Sequence, residues 1–168
     1  MHKPVFFRYL AYYLILLLLF VLQTTPNLLP PILGSKPLLL IPAALTISYM
    51  EAELPAMFFG LAAGLMLDFG YSDNIGFFTF ALTVVCFGVS VFFRDNLVVS
   101  FLNAMAFTAA ISTLLLILWF VFSYIIAGKG DVLYYFVHHY IARIVYTIAV
   151  EPVLYFIFKF LFKNLRSA

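Results

Sequence analysis

The residues that could support acid–base or metal chemistry are spread thinly along this sequence. There are seven acidic residues and three histidines among 168 residues. His138 and His139 are adjacent, so on a helix their side chains would point about 100° apart and would not readily clamp one metal ion. No HExxH pair occurs, and the string FGVSVFF at 87–93 lacks the second glycine of a GxSxG motif. The pattern predicts a protein that is not an enzyme and that has no metal or other cofactor.

The composition indicates whether this chain is soluble or lies in a membrane. Hydrophobic residues make up 66% of the chain, aromatic residues 20% and charged residues 10%. A soluble domain of this size could not bury so much apolar surface, because more than half of its accessible surface would stay wet. The net charge of +2 is small and the basic residues end apolar runs, which argues against nucleic acid as a partner. Cys86 is the single cysteine, so no disulfide framework is possible.

The apolar runs predict an all-α polytopic membrane protein with one transmembrane domain over residues 1–168. The N-terminal run follows basic residues like a signal peptide, but no small-x-small cleavage site follows it, so we interpret it as an uncleaved span. The six predicted transmembrane helices are about 8–25, 33–50, 54–71, 76–93, 97–127 and 143–162.

The second and third predicted spans are short by the usual requirement of about twenty residues. A re-entrant hairpin is the alternative to two full crossings. It would place Glu51 and Glu53 at mid-membrane, where each carboxylate costs at least a few kcal/mol. Full crossing is therefore favoured, with the second span taking extra length from residues 32–36.

The basic residues predict how the spans are oriented. Six spans place both termini on one side of the membrane, and cytoplasmic loops usually carry the excess of Lys and Arg. Lys36 and Lys129 fall on the opposite side. Both termini are therefore expected to be cytoplasmic, because the larger group of basic residues falls on the terminal side. This group consists of Lys3, Arg8, Arg94, Lys159, Lys163 and Arg166.

A series of small residues distinguishes the third span. Ala56, Gly60 and Gly64 recur at every fourth position, and Asp68 continues the same face. Small residues at this spacing let another helix approach closely, which is how helices associate in lipid. A carboxylate next to such a face should point to protein or water rather than to lipid. If the last span begins near Arg143, the two charges share a depth, and we expect Asp68 to pair with Arg143, directly or through water. The alternatives are that Asp68 is a solvated acid at the surface or that it binds a basic residue of a partner.

The order of several segments resembles the rod shape-determining protein MreD family of bacterial inner-membrane proteins. These segments are FFGLAAGLMLDF at 58–69, GF at 76–77, FALTVVCFGV at 80–89 and EPVLYFIFKFLF at 151–162. The resemblance covers essentially the whole chain and is sharpest from Gly60 to Gly76. Glu151 departs from the family, where an apolar or small residue is expected. A glycine-rich helix that ends in an acidic residue recurs in that family, and it is matched here by Gly60, Gly64 and Asp68. The part that follows is matched by Gly76, Phe77 and Gly88.

The resemblance implies a non-catalytic scaffold of the cell-elongation machinery, which sets rod shape through peptidoglycan synthesis. The implied partners are an MreC-like single-span protein, a RodA-type glycosyltransferase with its transpeptidase, and indirectly the MreB filament. The implied location is the bacterial inner membrane, in contact with membrane lipid. The partner-binding and helix-packing residues would be Ala56, Gly60, Gly64, Asp68 and Gly76.

A second resemblance favours a different function. Six spans with both termini inside also resemble the substrate-binding membrane subunit of energy-coupling-factor vitamin transporters. Such a subunit needs a small-residue face on its first helix, and YLAYYLILLLLFVLQ at 9–23 has none. The last span does carry polar residues, including Arg143 and Glu151, that either line a cavity or satisfy one another against neighbouring helices. This polar row occupies every fourth position: His139, Arg143, Thr147, Glu151 and Tyr155.

Overall fold

The computed structural model describes residues 3–25, 37–71, 76–96, 101–125 and 140–166. These residues form six α-helices, and five of them are long and apolar enough to cross a membrane. The predicted all-α polytopic membrane fold is therefore confirmed. The helices are α1 (Lys3–Thr24), α2 (Leu40–Met50), α3 (Glu53–Tyr71), α4 (Phe77–Asn96), α5 (Phe101–Phe120, continued by a π-helical turn Val121–Ile125) and α6 (Ile141–Arg166).

The short helix α2 forms the centre of the bundle. Ten of its residues, from Leu40 to Tyr49, are buried. It packs against each of the other five helices, which surround it in the order α5, α6, α1, α3 and α4. An apolar helix of eleven residues reaches only about 16 Å, too short to face lipid across a bilayer. Here protein covers its full length, so its backbone ends are satisfied by other helices.

Hydrogen bonds at both ends of α2 show how far it extends through the bundle. At its start, Leu39 N donates to Gln23 Oε1 over 2.8 Å, near the end of α1. Just past its end, Glu51 contacts Arg8, near the beginning of α1. Gln23 and Arg8 are about 22 Å apart along that helix. The connection 38–51 therefore extends along most of the length of α1, and Glu51 lies at the opposite end of the bundle from Leu39.

The predicted spans agree with the observed helices most closely in the middle of the chain. The third span was expected at 54–71 and α3 is Glu53–Tyr71, while the fourth was expected at 76–93 and α4 is Phe77–Asn96. The second helix starts at Leu40, later than the expected residue 33. The extra length expected from 32–36 lies outside the described residues, as do His138 and His139.

The outward faces of the long helices are apolar. Exposed side chains such as Leu14 and Leu18 on α1, Phe80 on α4 and Phe160 on α6 cover the surface that a bilayer would contact. Several hydroxyls inside the helices, including those of Thr46 and Ser48, donate to the carbonyl four residues earlier. In hydrocarbon this local bond satisfies a polar side chain without another helix.

Candidate functional site

The small-residue face of α3 contacts α4 of the same chain. A Cβ added at Gly60 would lie 2.7 Å from the backbone oxygen of Leu82, and one at Gly64 would lie 2.5 Å from Thr79 Cα. Ala56, one turn earlier, is fully buried. The predicted close approach of a helix is present, but the helix that approaches is internal. The expected helix packing at Gly60 and Gly64 is thus made by α4, whereas binding of a partner protein by this face stays a prediction.

Asp68 caps the beginning of α4 across the α3–α4 connection. Its Oδ1 accepts a hydrogen bond from Phe78 N over 3.0 Å. Its Oδ2 accepts from Gly76 N over 3.0 Å, from Thr79 N over 2.9 Å and from the Thr79 hydroxyl. The first amides of a helix have no intrahelical acceptor, and a negative carboxylate at this position also interacts favourably with the helix dipole. Asp68 thus fixes the position of α4 relative to α3.

Gly76 makes this cap possible through its backbone conformation. Its φ is +104°, a region that residues with a Cβ rarely adopt. In this conformation its N–H reaches Asp68, while its carbonyl accepts the first bond of α4 from Phe80 N over 3.0 Å. Gly76 therefore acts at a turn, rather than at a helix–helix contact as the sequence suggested.

Arg143 does not provide the charge partner that the sequence predicted for Asp68. Its guanidinium carbon lies 5.4 Å from the centroid of the Trp119 ring and 5.7 Å from that of Tyr140. The acceptor oxygens of Asp68 are taken by the α4 amides and a hydroxyl. The predicted Asp68–Arg143 pair is therefore wrong. Stacking on aromatic faces is an effective way to hold a guanidinium where water is scarce.

Glu151 lies on the inward face of α6 and is 2% exposed. Its carboxylate lies beside the Thr108 hydroxyl of α5. The Thr108 Oγ1 is in turn 2.7 Å from the hydroxyl of Tyr49 on α2. One turn earlier on α6, Thr147 Oγ1 accepts a hydrogen bond from Leu38 N over 3.2 Å. Thr147 and Glu151 of the polar row therefore point toward the central helix, and Thr147 helps to cap that helix.

Sequence reasoning missed a buried ion pair between α1 and the α2–α3 turn. Arg8 Nη2 donates to Glu51 Oε2 over 2.9 Å, and Arg8 Nε lies 2.8 Å from Glu51 Oε1 without hydrogen-bond alignment. Burial raises the pKa of the Glu51 carboxyl, and the Arg8 guanidinium beside it acts in the opposite direction. Arg8 also lies over the ring of Phe162, 5.3 Å from its centroid. The sequence did contain an indication of this ion pair, since Arg8 and Glu51 both fall at the cytoplasmic ends of their predicted spans.

A groove opens between α4 and α5, which are consecutive in sequence but pack together little. Its volume is about 440 Å³. Aromatic rings bridge the two helices on either side of it, with Phe93 and Phe107 centroids 5.1 Å apart and Phe78 and Trp119 centroids 5.4 Å apart. Gly88 lies in its wall, and a Cβ added there would meet no atom of the described residues within 4 Å. The lining is apolar and consists of Gly88, Val89, Phe92, Phe93, Phe107, Ala110, Ile111 and Leu114.

Within the described residues no group of three or more His, Cys, Asp and Glu side chains is placed to hold a metal ion. Cys86, on α4, is buried against the α3 glycine Gly60. Comparisons of the chain with family models, with curated proteins and with solved structures find no match.

Proposed function

We propose that this chain is a non-catalytic scaffold of the bacterial cell-elongation machinery, located in the inner membrane. The support comes from the residues that carry the resemblance to the MreD family. Gly60, Gly64, Asp68 and Gly76 belong to one structural unit, in which α3 and α4 are held together by close backbone contact and by a carboxylate cap. A rigid helix pair of this kind suits a protein that positions others rather than one that performs chemistry.

The observation that carries the proposal is the open glycine on the other side of α4. Gly88 costs its helix up to about 1 kcal/mol relative to alanine, and no contact with the described residues requires it. Gly60 and Gly64, by contrast, are required by the contact with α4. A glycine in the wall of an apolar groove lets a further transmembrane helix approach closely in lipid.

The occupant of this groove, in our proposal, is the transmembrane helix of a single-span MreC-like protein. A large apolar side chain of that helix enters the groove beside Gly88 and contacts the rings of Phe92 and Phe107, whose centroids are 5.6 Å apart. Through this partner the scaffold is connected to a RodA-type glycosyltransferase, its transpeptidase and, indirectly, the MreB filament. The lipid-facing surface around the groove is apolar, so helix association there depends on shape and van der Waals contact.

The test is co-purification of the tagged full-length chain with the single-span partner from membranes in mild detergent. The wild-type chain is expected to retain the partner and cell-wall synthases. Gly88→Leu fills the groove and should reduce partner recovery at least tenfold, whereas the melting temperature (Tm) of the chain stays within a few degrees of wild type. Ala110→Leu, on the opposite wall, should act in the same direction.

Ala149→Leu is the matched control, because Ala149 is exposed on α6 and is not part of the groove. It adds the same bulk to a different lipid-facing surface and should leave partner recovery unchanged. Full recovery with both groove variants would exclude the groove as the binding surface. Capture of an ATPase pair and a small ligand by the wild-type chain would instead support the vitamin-transporter alternative.

One observation favours that alternative enough to keep it in the test. Three buried polar atoms on the facing helices α5 and α6 have no hydrogen-bond partner among the described residues: Ser112 Oγ, Tyr155 Oη and Glu151 Oε2. Buried polar atoms of this kind normally have a partner. A polar ligand inside the bundle would supply one, and co-purification with a small molecule would detect it.

A further inference from the structure

The described part of the chain shows four acidic side chains, and three of them have an evident counterpart. Two form ion pairs with arginine and one accepts hydrogen bonds from a helix N-terminus. The fourth, Glu151, has neither. The three with counterparts are Glu51 with Arg8, Glu53 with Arg94, and Asp68 with the first amides of α4.

Glu151 is also among the most deeply placed of these acids. It is 2% exposed, and its Oε2 has no hydrogen-bond partner within the described part of the chain. An uncompensated carboxylate in hydrocarbon costs several kcal/mol, so it must be neutralised by a proton, a cation or a basic side chain. The ion pairs within the described residues do not include it. Arg143 lies two turns earlier on α6, with its guanidinium over the ring of Trp119.

One hydroxyl lies beside the Glu151 carboxylate, and one carbonyl on the preceding turn of α6 lacks its usual donor. The Thr108 hydroxyl lies beside its carboxylate, and the Tyr49 hydroxyl lies 2.7 Å beyond Thr108. Pro152 follows within the helix and has no N–H, so the carbonyl of Ile148 loses its ordinary intrahelical donor. Helical side chains lean toward the preceding turn, which directs Glu151 back toward this carbonyl. A carboxylate, a hydroxyl and a freed carbonyl are hard oxygen ligands.

We propose that Glu151, Thr108 and the carbonyl of Ile148 form a binding site for one small monovalent cation, either a proton or a sodium ion. The bound cation neutralises the carboxylate and satisfies the unpaired oxygen. The site lies between α5, α6 and the central helix α2, so cation binding stabilises the packing of the bundle centre. This inference goes beyond the scaffold function and does not depend on it.

Among the residues that the structure describes, few other charged or titratable groups face this site. α2 contributes Tyr49, α4 contributes Cys86 near Tyr49, and α5 contributes the uncharged hydroxyls of Thr108 and Ser112. On α6 itself the neighbours are Arg143 and Tyr155. The tyrosines and the thiol carry no charge near neutral pH. A cation that enters the site therefore meets Glu151 as its main charge partner.

The test measures the Tm of the purified full-length chain in detergent. One series replaces choline chloride with sodium chloride at pH 7.5 and constant ionic strength. The other varies pH from about 5.5 to 8.5 in choline chloride. A cation that binds only the folded state raises Tm with its concentration. We expect a Tm rise of several degrees with sodium if the cation is Na⁺, or with falling pH if it is a proton.

Glu151→Gln keeps the shape of the side chain and removes its charge, so it should abolish whichever response the wild type shows. Glu53→Gln, at the exposed pair with Arg94, is the matched control and should keep the wild-type response. Thr108→Val should weaken the response without removing it, and it tests the site independently if Glu151→Gln does not fold. Equal responses to sodium and pH in wild type, Glu151→Gln and Thr108→Val would overturn the proposal.

Discussion

On one side, α4 packs against α3 so closely that a single methyl group at Gly60 or Gly64 would collide with its backbone. On the other side, α4 faces α5 across a groove in which Gly88 has open space. Both contacts include glycine in an apolar helix. The α3–α4 contact leaves no space beside its glycines, whereas the α4–α5 contact leaves a groove beside Gly88. The difference shows that a glycine in a membrane helix acquires its role from what lies opposite it.

Gly64→Leu should have the largest effect on folding. The new side chain would meet the backbone of Thr79 and Phe78, which cannot rotate away as a side chain can. We expect a loss of about 3 kcal/mol or more in the free energy of unfolding, at or above the usual range for overpacking. Unfolding in mixed detergent measures it. Gly88→Leu is the control, and a similar loss there would remove the contrast between the two sides of α4.

Asp68→Ala should be the next most damaging change. It leaves three amides and a hydroxyl at the beginning of α4 without their acceptor, and we expect a loss of about 2–3 kcal/mol in the free energy of unfolding. Asp68→Asn keeps one acceptor oxygen and should lose less. In a double-mutant cycle with Arg143→Ala the two losses should add. A coupling energy above about 1 kcal/mol would show that the two residues interact after all.

Gly76→Ala should have a smaller effect that is confined to the turn. The added Cβ meets no atom within 4 Å, so the cost arises only from the φ of +104°. We expect a loss of about 1–2 kcal/mol in the free energy of unfolding. The same unfolding measurement applies. If Gly76→Ala proved harmless, the cap of α4 would have to form with a different backbone conformation.

Gly88→Ala should have the smallest effect, and in the opposite direction. Alanine reduces the freedom of the unfolded chain and fits the open space, so stability should rise by about 0.5–1 kcal/mol. The measurement is again the free energy of unfolding, here of the isolated chain. A loss of stability would mean that α5 approaches Gly88 more closely than the groove indicates.

Much of the fold could be predicted from local sequence. The lengths of the apolar runs gave the boundaries of α3 and α4 to within three residues, and the four-residue spacing of Ala56, Gly60 and Gly64 predicted a close helix contact. These features depend on neighbours along one helix. Which helix meets the small-residue face depends on the packing of the whole bundle, and for that reason the sequence could not show that α4 fills it.

The candidate site residues were harder to interpret for the same reason. Arg8 and Glu51 are separated by 43 positions, and no periodicity connects them. The role of Asp68 had a local signal, because Gly76 and Phe77 follow at a distance that one short connection can close. Charge alone favoured Arg143 as its partner, whereas the amides at the beginning of α4 are closer donors. The Asp68 carboxylate is therefore satisfied by nearby backbone amides rather than by a distant guanidinium.

The burial of α2 has a consequence for biosynthesis. Its first amides are satisfied by Gln23 of α1 and by Thr147 of α6, and Thr147 follows Leu38 by 109 residues. When the ribosome has completed only the first four helices, α6 does not yet exist, and one face of α2 still contacts lipid or the insertion machinery. The helix at the centre of the bundle is thus among the first to be synthesised, and its hydrogen bonds are completed only after the last helix has been released into the membrane.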